Sequence, residues 1–364
     1  MAKRIKIAQI TLYGYFNYGQ TLQRFALQHT LKKFADSVEF LWNEPNKFFP
    51  ETGEGNPAMQ SVLRKEGNAY RQLLILRAAV RQSKFKDFEN LHINTRFDIP
   101  YFEELADEYD FFVVGSDQVW RPEWAPPNDF LNFVPREQKV SYAASIGINA
   151  IPDDKKEIFS RGIADFNYLS VREESAIKII KDLTGRTALL LLDPVLLLTA
   201  DEWLTVAQKP TWFKEKYSRG YVLTYHLSEL PPPEIKILAD KLNLPVINLL
   251  NTDNYNHFTV GPAEFVWLFA NASLVFTNSF HGMAYSTLFK HPFVLNGLRM
   301  KNDPRLVSFL KLFGLGDRFN PADPLEIDFT RRNEVLPVER AKAFQFLSAA
   351  FGINPLEKLL GGDS

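Results

Sequence analysis

A single histidine, His281, stands where a predicted strand gives way to a predicted helix. Residues 274–276 form an apolar run that is typical of a buried strand, and residues 283–289 continue in a helical pattern. In open α/β sheets, ligands bind at the carboxyl edge, and the free N–H groups of the following helix favour an anion there. This placement suits acid–base chemistry on a phosphorylated or acidic substrate. The alternative is a neutral histidine that bonds the loop backbone, and both interpretations stay open at this point.

Four other loops follow predicted strands and could face the same cleft, at residues 17–20, 115–118, 172–173 and 193. Asp117 could act as a general base or accept hydrogen bonds from sugar hydroxyls, although an aspartate after a glycine also forms turns and N-caps. Arg172 could clamp a phosphate or carboxylate in two-point fashion, or pair with a neighbouring acid. For Asp193, which precedes a proline, we predict only a structural role in a strand-exit turn.

Composition narrows the classes of function. The formal net charge of −1 argues against nucleic acid or an anionic membrane as the main partner. With no cysteine, the chain has no disulfide and no thiolate nucleophile. The sequence contains neither a Gly-Lys-Ser/Thr phosphate loop nor a Gly-x-Gly-x-x-Gly after the first strand, which disfavours a nucleotide-dependent kinase or a dehydrogenase. It also lacks a His-Glu-x-x-His segment, so we expect no metal.

Short apolar strands alternate with helical segments, which predicts an α/β fold with mostly parallel sheets. We predict an N-terminal Rossmann-like domain at 1–198 with a helical hairpin inserted near 44–100. A second Rossmann-like domain at 199–330 carries the His281 loop, and a helical tail at 331–364 packs back on the first domain. Two such domains facing a cleft describe a GT-B-like architecture, and doubly wound enzymes with other chemistry fit nearly as well. The longest apolar run, 188–198, is too short to cross a bilayer, so we expect a cytoplasmic protein.

Six segments, in this order along the chain, resemble the polysaccharide pyruvyltransferase family. They are Asn-Tyr-Gly-Gln-Thr-Leu-Gln at 17–23, Val-Gly-Ser-Asp-Gln-Val-Trp at 114–120, Ser-Tyr-Ala-Ala-Ser-Ile-Gly at 141–147, Ser-Val-Arg-Glu at 170–173, Asp-Pro at 193–194 and Thr-Asn-Ser-Phe-His-Gly at 277–282. The resemblance covers most of the chain but leaves out the insertion and the tail. Each segment alone is a modest signal, whereas six in order are specific.

The resemblance implies a transferase that moves the enolpyruvyl unit of phosphoenolpyruvate onto two hydroxyls of a hexose. The product is a pyruvate ketal, phosphate leaves, and no cofactor is needed beyond phosphoenolpyruvate as co-substrate. Such enzymes serve polysaccharide biosynthesis, including exopolysaccharide and capsule. The expected partner is a hexose-containing glycan precursor; if it is lipid-linked, the enzyme would work at the inner membrane face. The oligomeric state is not readable from the sequence.

The resemblance also assigns residues. His281 matches the family's histidine, placed to protonate the methylene carbon or to relay the hydroxyl proton. Arg172 matches an arginine associated with donor binding, and Asp117 is the second candidate catalytic residue. The other predicted substrate-binding residues lie in the matching segments and are Asn17, Tyr18, Gly19, Gln20, Ser116, Ser279, Phe280 and Gly282.

One position departs from the family pattern, because Ser279 stands where many members carry an arginine two residues before the histidine. A donor with a phosphate and a carboxylate needs more than one cation, since each charge-assisted contact contributes about 1.5–3 kcal/mol. Our hypothesis is that Arg305 or Lys301 supplies the second positive charge.

Two other functions fit the same sequence. A nucleotide-sugar glycosyltransferase would share the architecture, and Glu264 is its candidate acid for the ribose. A catalytically silent glycan-binding subunit is suggested by Ser279 and by the aromatic content of 14%.

Overall fold

The computed structural model describes residues 4–14, 16–42, 68–97, 99, 102–123, 127–227, 230–297, 300–319 and 321–353. Its first half is a parallel seven-stranded sheet with helices. In chain order the elements are β1 (Lys6–Ile10), α1 (Tyr18–Leu31), β2 (Ser37–Leu41), α2 (Asn68–His92), β3 (Thr95–Arg96), β4 (Phe111–Val114), β5 (Lys139–Ala144), α3 (Lys156–Ala164), β6 (Tyr168–Val171), α4 (Glu174–Thr184) and β7 (Leu189–Leu190). The strand order is β3-β2-β1-β4-β5-β6-β7.

The second half forms a separate parallel sheet of four strands. In chain order its elements are α5 (Ala200–Leu204), β8 (Val222–Tyr225), α6 (Glu234–Lys241), β9 (Val246–Leu249), α7 (Tyr255–Phe258), α8 (Pro262–Ala270), β10 (Leu274–Thr277), α9 (Phe280–Phe289), β11 (Phe293–Leu295), α10 (Pro304–Phe313) and α11 (Thr330–Phe351). The strand order is β11-β10-β8-β9. Central strands such as β8 and β10 are buried along their whole length, as expected where helices cover both faces. The predicted α/β fold with two Rossmann-like domains in a GT-B-like arrangement is confirmed.

Each sheet has a topological switch point, where consecutive connections leave in opposite directions. In the first sheet β2 lies on one side of β1 and β4 on the other, so the switch point falls between β1 and β4. In the second sheet β9 and β10 flank β8, so it falls between β8 and β10. Ligands of open α/β sheets bind outside the carboxyl ends of the strands at such points. Two of the five predicted site loops, 115–118 and 279–282, follow β4 and β10 at these points.

Helix α2 lies across both domains. On the first domain, its Glu89 forms a buried ion pair with Arg24 of α1. On the second domain, the Tyr70 hydroxyl donates to Asp253 at 2.6 Å, and Lys84 pairs with Glu264 at 2.7 Å. The described residues hold one helix of the predicted helical hairpin. Residues 43–67, where its other half was expected, lie outside the described residues.

The tail helix α11 begins at Thr330 and packs on the first domain. Phe344 and Phe351 contact Phe34, with ring centroids 5.8 and 5.7 Å apart, and Arg340 Nε donates to the Leu196 carbonyl at 2.6 Å. None of the helices that the structure describes combines the length and the apolar composition that a membrane span requires.

Candidate active site

The centre of the site is a histidine–carboxylate pair made by the two domains together. His281 lies in the first turn of α9, in the second domain, and Asp193 follows β7 in the first. The His281 Nε2 atom is 3.7 Å from Asp193 Oδ2. The Asp193 side chain is fully buried, and that of His281 is 9% exposed. The predicted strand-to-helix setting of His281 is therefore found, and the ring faces the other domain.

Gly19 forms the surface against which the imidazole packs. It lies in the first turn of α1, whose N-cap is Asn17; the Asn17 Oδ1 atom accepts from the Gly19 amide at 2.9 Å and from the Gln20 amide at 3.4 Å. A Cβ atom on Gly19 would lie only 2.0 Å from His281 Nδ1. The site therefore requires glycine here, for close packing. The N-termini of α1 and α9 consequently meet at the imidazole ring, and their partial positive charges favour an anion there.

Arg172 ties the carboxylates of the site together. Its guanidinium donates to Asp193 Oδ2 at 2.5 Å and to Asp117 Oδ1 at 3.2 Å, and its side chain is 2% exposed. The guanidinium carbon lies 4.5 Å from the centre of the Phe280 ring. Burial works against a charged Asp193, but His281 and Arg172 outweigh it and hold the pKa of Asp193 well below its usual range. Two carboxylates thus share one guanidinium in a buried network.

Asp193 was predicted to have a structural role in a strand-exit turn, and the structure shows that role together with a second set of contacts. Its Oδ1 atom does cap a short 3₁₀ helix, Pro194–Leu196, by accepting from the Val195 amide at 3.0 Å. Its Oδ2 atom, however, faces both Arg172 and His281. The sequence position of Asp193 could have indicated these contacts. Asp193 follows β7, Arg172 follows β6, and these two strands are neighbours in the same parallel sheet.

The loop after β4 supports this network. The Ser116 hydroxyl donates to the Ala143 carbonyl at 2.7 Å and lies 3.5 Å from Asp193 Oδ2. The Ser116 amide donates to Gln23 Oε1 at 3.1 Å, so α1 fixes the loop that carries Asp117. Sequence reasoning left Gln23 out of the site, although it lies in the first matching segment. Ser116 and Gln23 position the charged groups.

The start of α9 is built for a close approach of backbone to strand. Ser279 is its N-cap, and its hydroxyl accepts from the Gly282 amide at 3.5 Å. A Cβ on Gly282 would lie 2.3 Å from Thr277 Oγ1, so the helix packs tightly on the end of β10. Phe280 packs beside His281 and Phe309, with ring centroids 5.4 and 5.6 Å apart. Ser279 is thus a cap that leaves the helix start uncharged.

Tyr18, a predicted substrate-binding residue, contacts the second domain. Its hydroxyl donates to the Val260 carbonyl at 2.6 Å, and its ring stacks on Phe265 at a centroid distance of 4.3 Å. Burial, partly offset by the charge of Arg81, raises the pKa of Tyr18 to about 12. The side chain therefore joins α1 to the second domain. Gln20, beside it in α1, is also buried.

The two candidate second cations differ in their surroundings. Arg305, at the start of α10, already forms a two-point pair with Asp303, at 2.9 Å from Nε and 2.5 Å from a terminal nitrogen. Lys301 lies in the exposed 3₁₀ helix Met300–Asn302 and makes no ion pair within the described ranges. Lys301 therefore has no ion-pair partner in the described ranges, whereas Arg305 would have to interact with Asp303 and with a donor at the same time.

Glu264, the candidate ribose-binding acid of a nucleotide-sugar enzyme, already has two partners within the protein. Its carboxylate accepts from the Gly261 amide at 2.8 Å in the cap of α8 and pairs with Lys84 of α2 at 2.7 Å. A structural pairing explains it fully. Among the residues that the structure describes, no group of three or more His, Asp or Glu side chains could hold a metal ion.

Two Rossmann-like domains, with His281 of one facing Asp193 of the other, define a GT-B-like protein. One similar solved structure is the UDP-GlcNAc 2-epimerase from Neisseria meningitidis, with 10% identity and a TM-score of 0.43 over 94% of this chain and 99% of that one. Another is the UDP-GlcNAc 2-epimerase from Methanocaldococcus jannaschii, with 13% identity and a TM-score of 0.39 over 92% of this chain and 99% of that one. A third is the ADP-heptose lps heptosyltransferase II from E. coli, with 13% identity and a TM-score of 0.34 over 93% of this chain and 99% of that one.

The sequence model of the polysaccharide pyruvyl transferase family matches residues 17–295. The chain belongs to this family. All six segments described above lie inside the matched range, as do His281, Asp193 and Arg172. No curated protein matches the chain.

Proposed function

We propose that this protein transfers the enolpyruvyl unit of phosphoenolpyruvate to two hydroxyls of a hexose in a glycan precursor. A pyruvate ketal forms and phosphate is released. The observation that carries the proposal is the buried pair of His281 and Asp193, which lies between the two domains within a chain of this family. We further propose that the protein works in the cytoplasm, at the inner membrane face if the acceptor is lipid-linked.

The proposed reaction needs one proton relay, which His281 can provide. The first hydroxyl oxygen bonds to C2 of the enolpyruvyl unit while C3 gains a proton and becomes a methyl group. The second hydroxyl oxygen then bonds to C2, the bond from C2 to the phosphate oxygen breaks, and the departing phosphate takes up the second hydroxyl proton. The proton gained by C3 equals the one lost by the first hydroxyl. A single histidine can therefore accept the one and donate the other.

Asp193 and Arg172 prepare the ring for this role. We propose that ionised Asp193, whose Oδ2 atom is 3.7 Å from His281 Nε2, orients the ring through its charge, as a carboxylate does for a catalytic histidine in other enzymes. Arg172 keeps Asp193 ionised in a buried setting. Because Arg172 already faces two carboxylates, it brings little net positive charge to a donor. Asp117 stays our proposed second catalytic residue, placed beside the acceptor hydroxyls.

The donor's charge must then be met by other groups. We propose that the N-terminus of α9 holds one anionic group and that Lys301 or Arg305 meets the other. Donor binding by Lys301→Gln and Arg305→Gln tests this. Unchanged affinity in both variants would remove these residues from the donor site.

Thermal unfolding with phosphoenolpyruvate, beside a panel of nucleotide sugars, tests the proposed donor. A ligand at about 100 times its dissociation constant adds roughly 2.7 kcal/mol to the free energy of unfolding. We expect stabilisation by phosphoenolpyruvate alone. Stabilisation by a nucleotide sugar instead would contradict the proposal and favour glycosyl transfer.

The variant His281→Ala tests the chemistry. An enzyme that uses this histidine for acid–base catalysis should lose a factor of about 10²–10⁴ in turnover. His291→Ala is a matched control, since His291 Nε2 bonds the Ala270 carbonyl, apart from the site. A silent glycan-binding subunit would show no turnover in the wild type and would keep its glycan affinity in both variants.

A further inference from the structure

A second histidine, His226, lies at the switch point of the second sheet. It directly follows β8, whose neighbour β10 carries the loop to His281. Because Tyr225 pairs with Thr277 and Thr277 with Leu295, residues 226, 278 and 296 form the next row beyond the paired strands. This row lies at the carboxyl edge, where the crevice of an open α/β sheet takes its ligand.

The side chain of His226 crosses the end of β10. Its Nε2 atom is 2.6 Å from Asn296 Oδ1, and Asn296 follows β11, on the far side of β10. The adjoining backbone is held as well, because Asn278 Oδ1 accepts from the Leu227 amide at 2.6 Å and Asn278 Nδ2 donates to the Leu227 carbonyl at 2.9 Å. His226 is 4% exposed. The imidazole is therefore fixed across the strand that leads into α9.

The charged groups around this crevice leave a role for a further hydrogen-bond donor to an anion. Ser279 caps α9 without adding charge, and the guanidinium of Arg172 faces Asp193 and Asp117. Arg305 is paired with Asp303, and Lys301, which makes no ion pair in the described ranges, lies in the exposed 3₁₀ helix Met300–Asn302 and not at the strand ends. Of the basic groups that the structure describes at this edge, His226 is the one that lies within the row at the strand ends.

We infer that His226 contacts an oxyanion of the donor at the switch point between β8 and β10. The inference rests on the proposed function and adds a substrate-binding residue from outside the six matching segments. A ring N–H of His226 gives the oxyanion a hydrogen bond that is charge-assisted because the acceptor is ionised, and Asn296 orients the ring. His281 is left to the proton transfer, so the two histidines of this edge divide binding from chemistry.

Calorimetric titration with phosphoenolpyruvate, and separately with inorganic phosphate, tests the inference. In His226→Gln, which retains a donor for Asn296, we expect either ligand to bind roughly 10- to 100-fold more weakly, the effect of losing one charge-assisted bond. His291→Gln is the matched control and should bind as the wild type does, because His291 bonds the Ala270 carbonyl.

A second measurement separates contact from mere support. The NMR signals of the His226 ring can be assigned in the wild type, because they are absent in His226→Gln. These signals should shift when phosphate is added, and the shift should saturate with the dissociation constant that calorimetry gives. Ring signals that stay in place at saturation would overturn the inference.

The outcomes also separate the inference from the proposed function. If the wild type binds phosphoenolpyruvate and His226→Gln binds it equally well, the inference fails and the proposed function stands. If the wild type binds phosphate but not phosphoenolpyruvate, and His226→Gln loses phosphate, the oxyanion site is supported and the proposed donor is wrong. Binding of neither ligand by the wild type would overturn both.

Discussion

Replacing Gly19 with alanine should disable the site while leaving the fold in place. The new Cβ atom would lie 2.0 Å from His281 Nδ1, 2.4 Å from Cε1 and 2.6 Å from Cγ. An ordinary contact begins at 3.4 Å, so the ring must move by about 1.4 Å, the difference between 3.4 and 2.0 Å. The obstructing atoms belong to a side chain and not to the backbone, so we expect the imidazole to be displaced from its position between α1 and Asp193.

The expected losses differ greatly between turnover and stability. A misplacement of about 1 Å can cost roughly 10² in rate, and complete loss of acid–base catalysis costs about 10²–10⁴. We therefore expect turnover to fall by about 10²–10⁴. Crowding a packed site costs about 1–3 kcal/mol, and alanine regains up to about 1 kcal/mol over glycine within a helix. The midpoint of thermal unfolding should consequently fall by only a few degrees.

Phosphate release in the presence of donor and an acceptor glycan measures the effect, with Gly316→Ala as the matched control. A Cβ on Gly316 meets nothing within 4 Å, so that variant should behave as the wild type does. The ring signals of His281 give a readout that needs no substrate, since they should shift in Gly19→Ala alone. Turnover within threefold of the wild type in Gly19→Ala would refute the placement of His281 against α1.

Three further predictions concern the supporting contacts. Arg172→Met leaves buried Asp193 without its cation and should lower the free energy of unfolding by about 3–5 kcal/mol in urea titrations; a loss below about 1 kcal/mol would contradict the pairing. In the cap of α5, burial works against a charged Glu202, but the Thr199 amide and the nearby Lys33 outweigh it and lower the pKa of Glu202 to about 2. Because this value lies below the ordinary one, the stabilisation is present above about pH 4.3 and is lost as the pH falls towards 2, so Glu202→Gln should flatten the stability profile in that window by about 1 kcal/mol. Tyr18→Phe leaves the Val260 carbonyl without its donor and should cost about 1–2 kcal/mol in unfolding experiments with donor affinity unchanged; weakened donor binding would return Tyr18 to the substrate site.

The parts of the fold that local patterns determine could be predicted from the sequence. Strands of parallel sheets are buried on both faces, so β4 and β10 show as short apolar runs, and the loops after them show as small polar residues. This pattern placed His281 and Asp117 at strand ends. It also marked the change from the first sheet to the second, since the rhythm of strand and helix restarts after residue 199.

The parts that depend on contacts between distant residues could not be predicted. Asp193 reads locally as a turn, and only the packing of the two domains brings its carboxylate to His281. The local sequence around Tyr18 predicts a strand-end residue near the cleft, but its ring packs between the two domains. Glu264 reads as a free acid, and its partner Lys84 comes from α2, far away in sequence. In each case a tertiary contact decides the role.

The shared origin of the central pair means that neither half of the chain holds the site alone. The second domain supplies the imidazole, and the first supplies both its carboxylate partner and the glycine on which the ring rests. A gene divided after residue 198 would therefore encode two inactive fragments. Turnover would appear only when the two fragments associate, so the measured rate would report how much of the two-domain complex has formed.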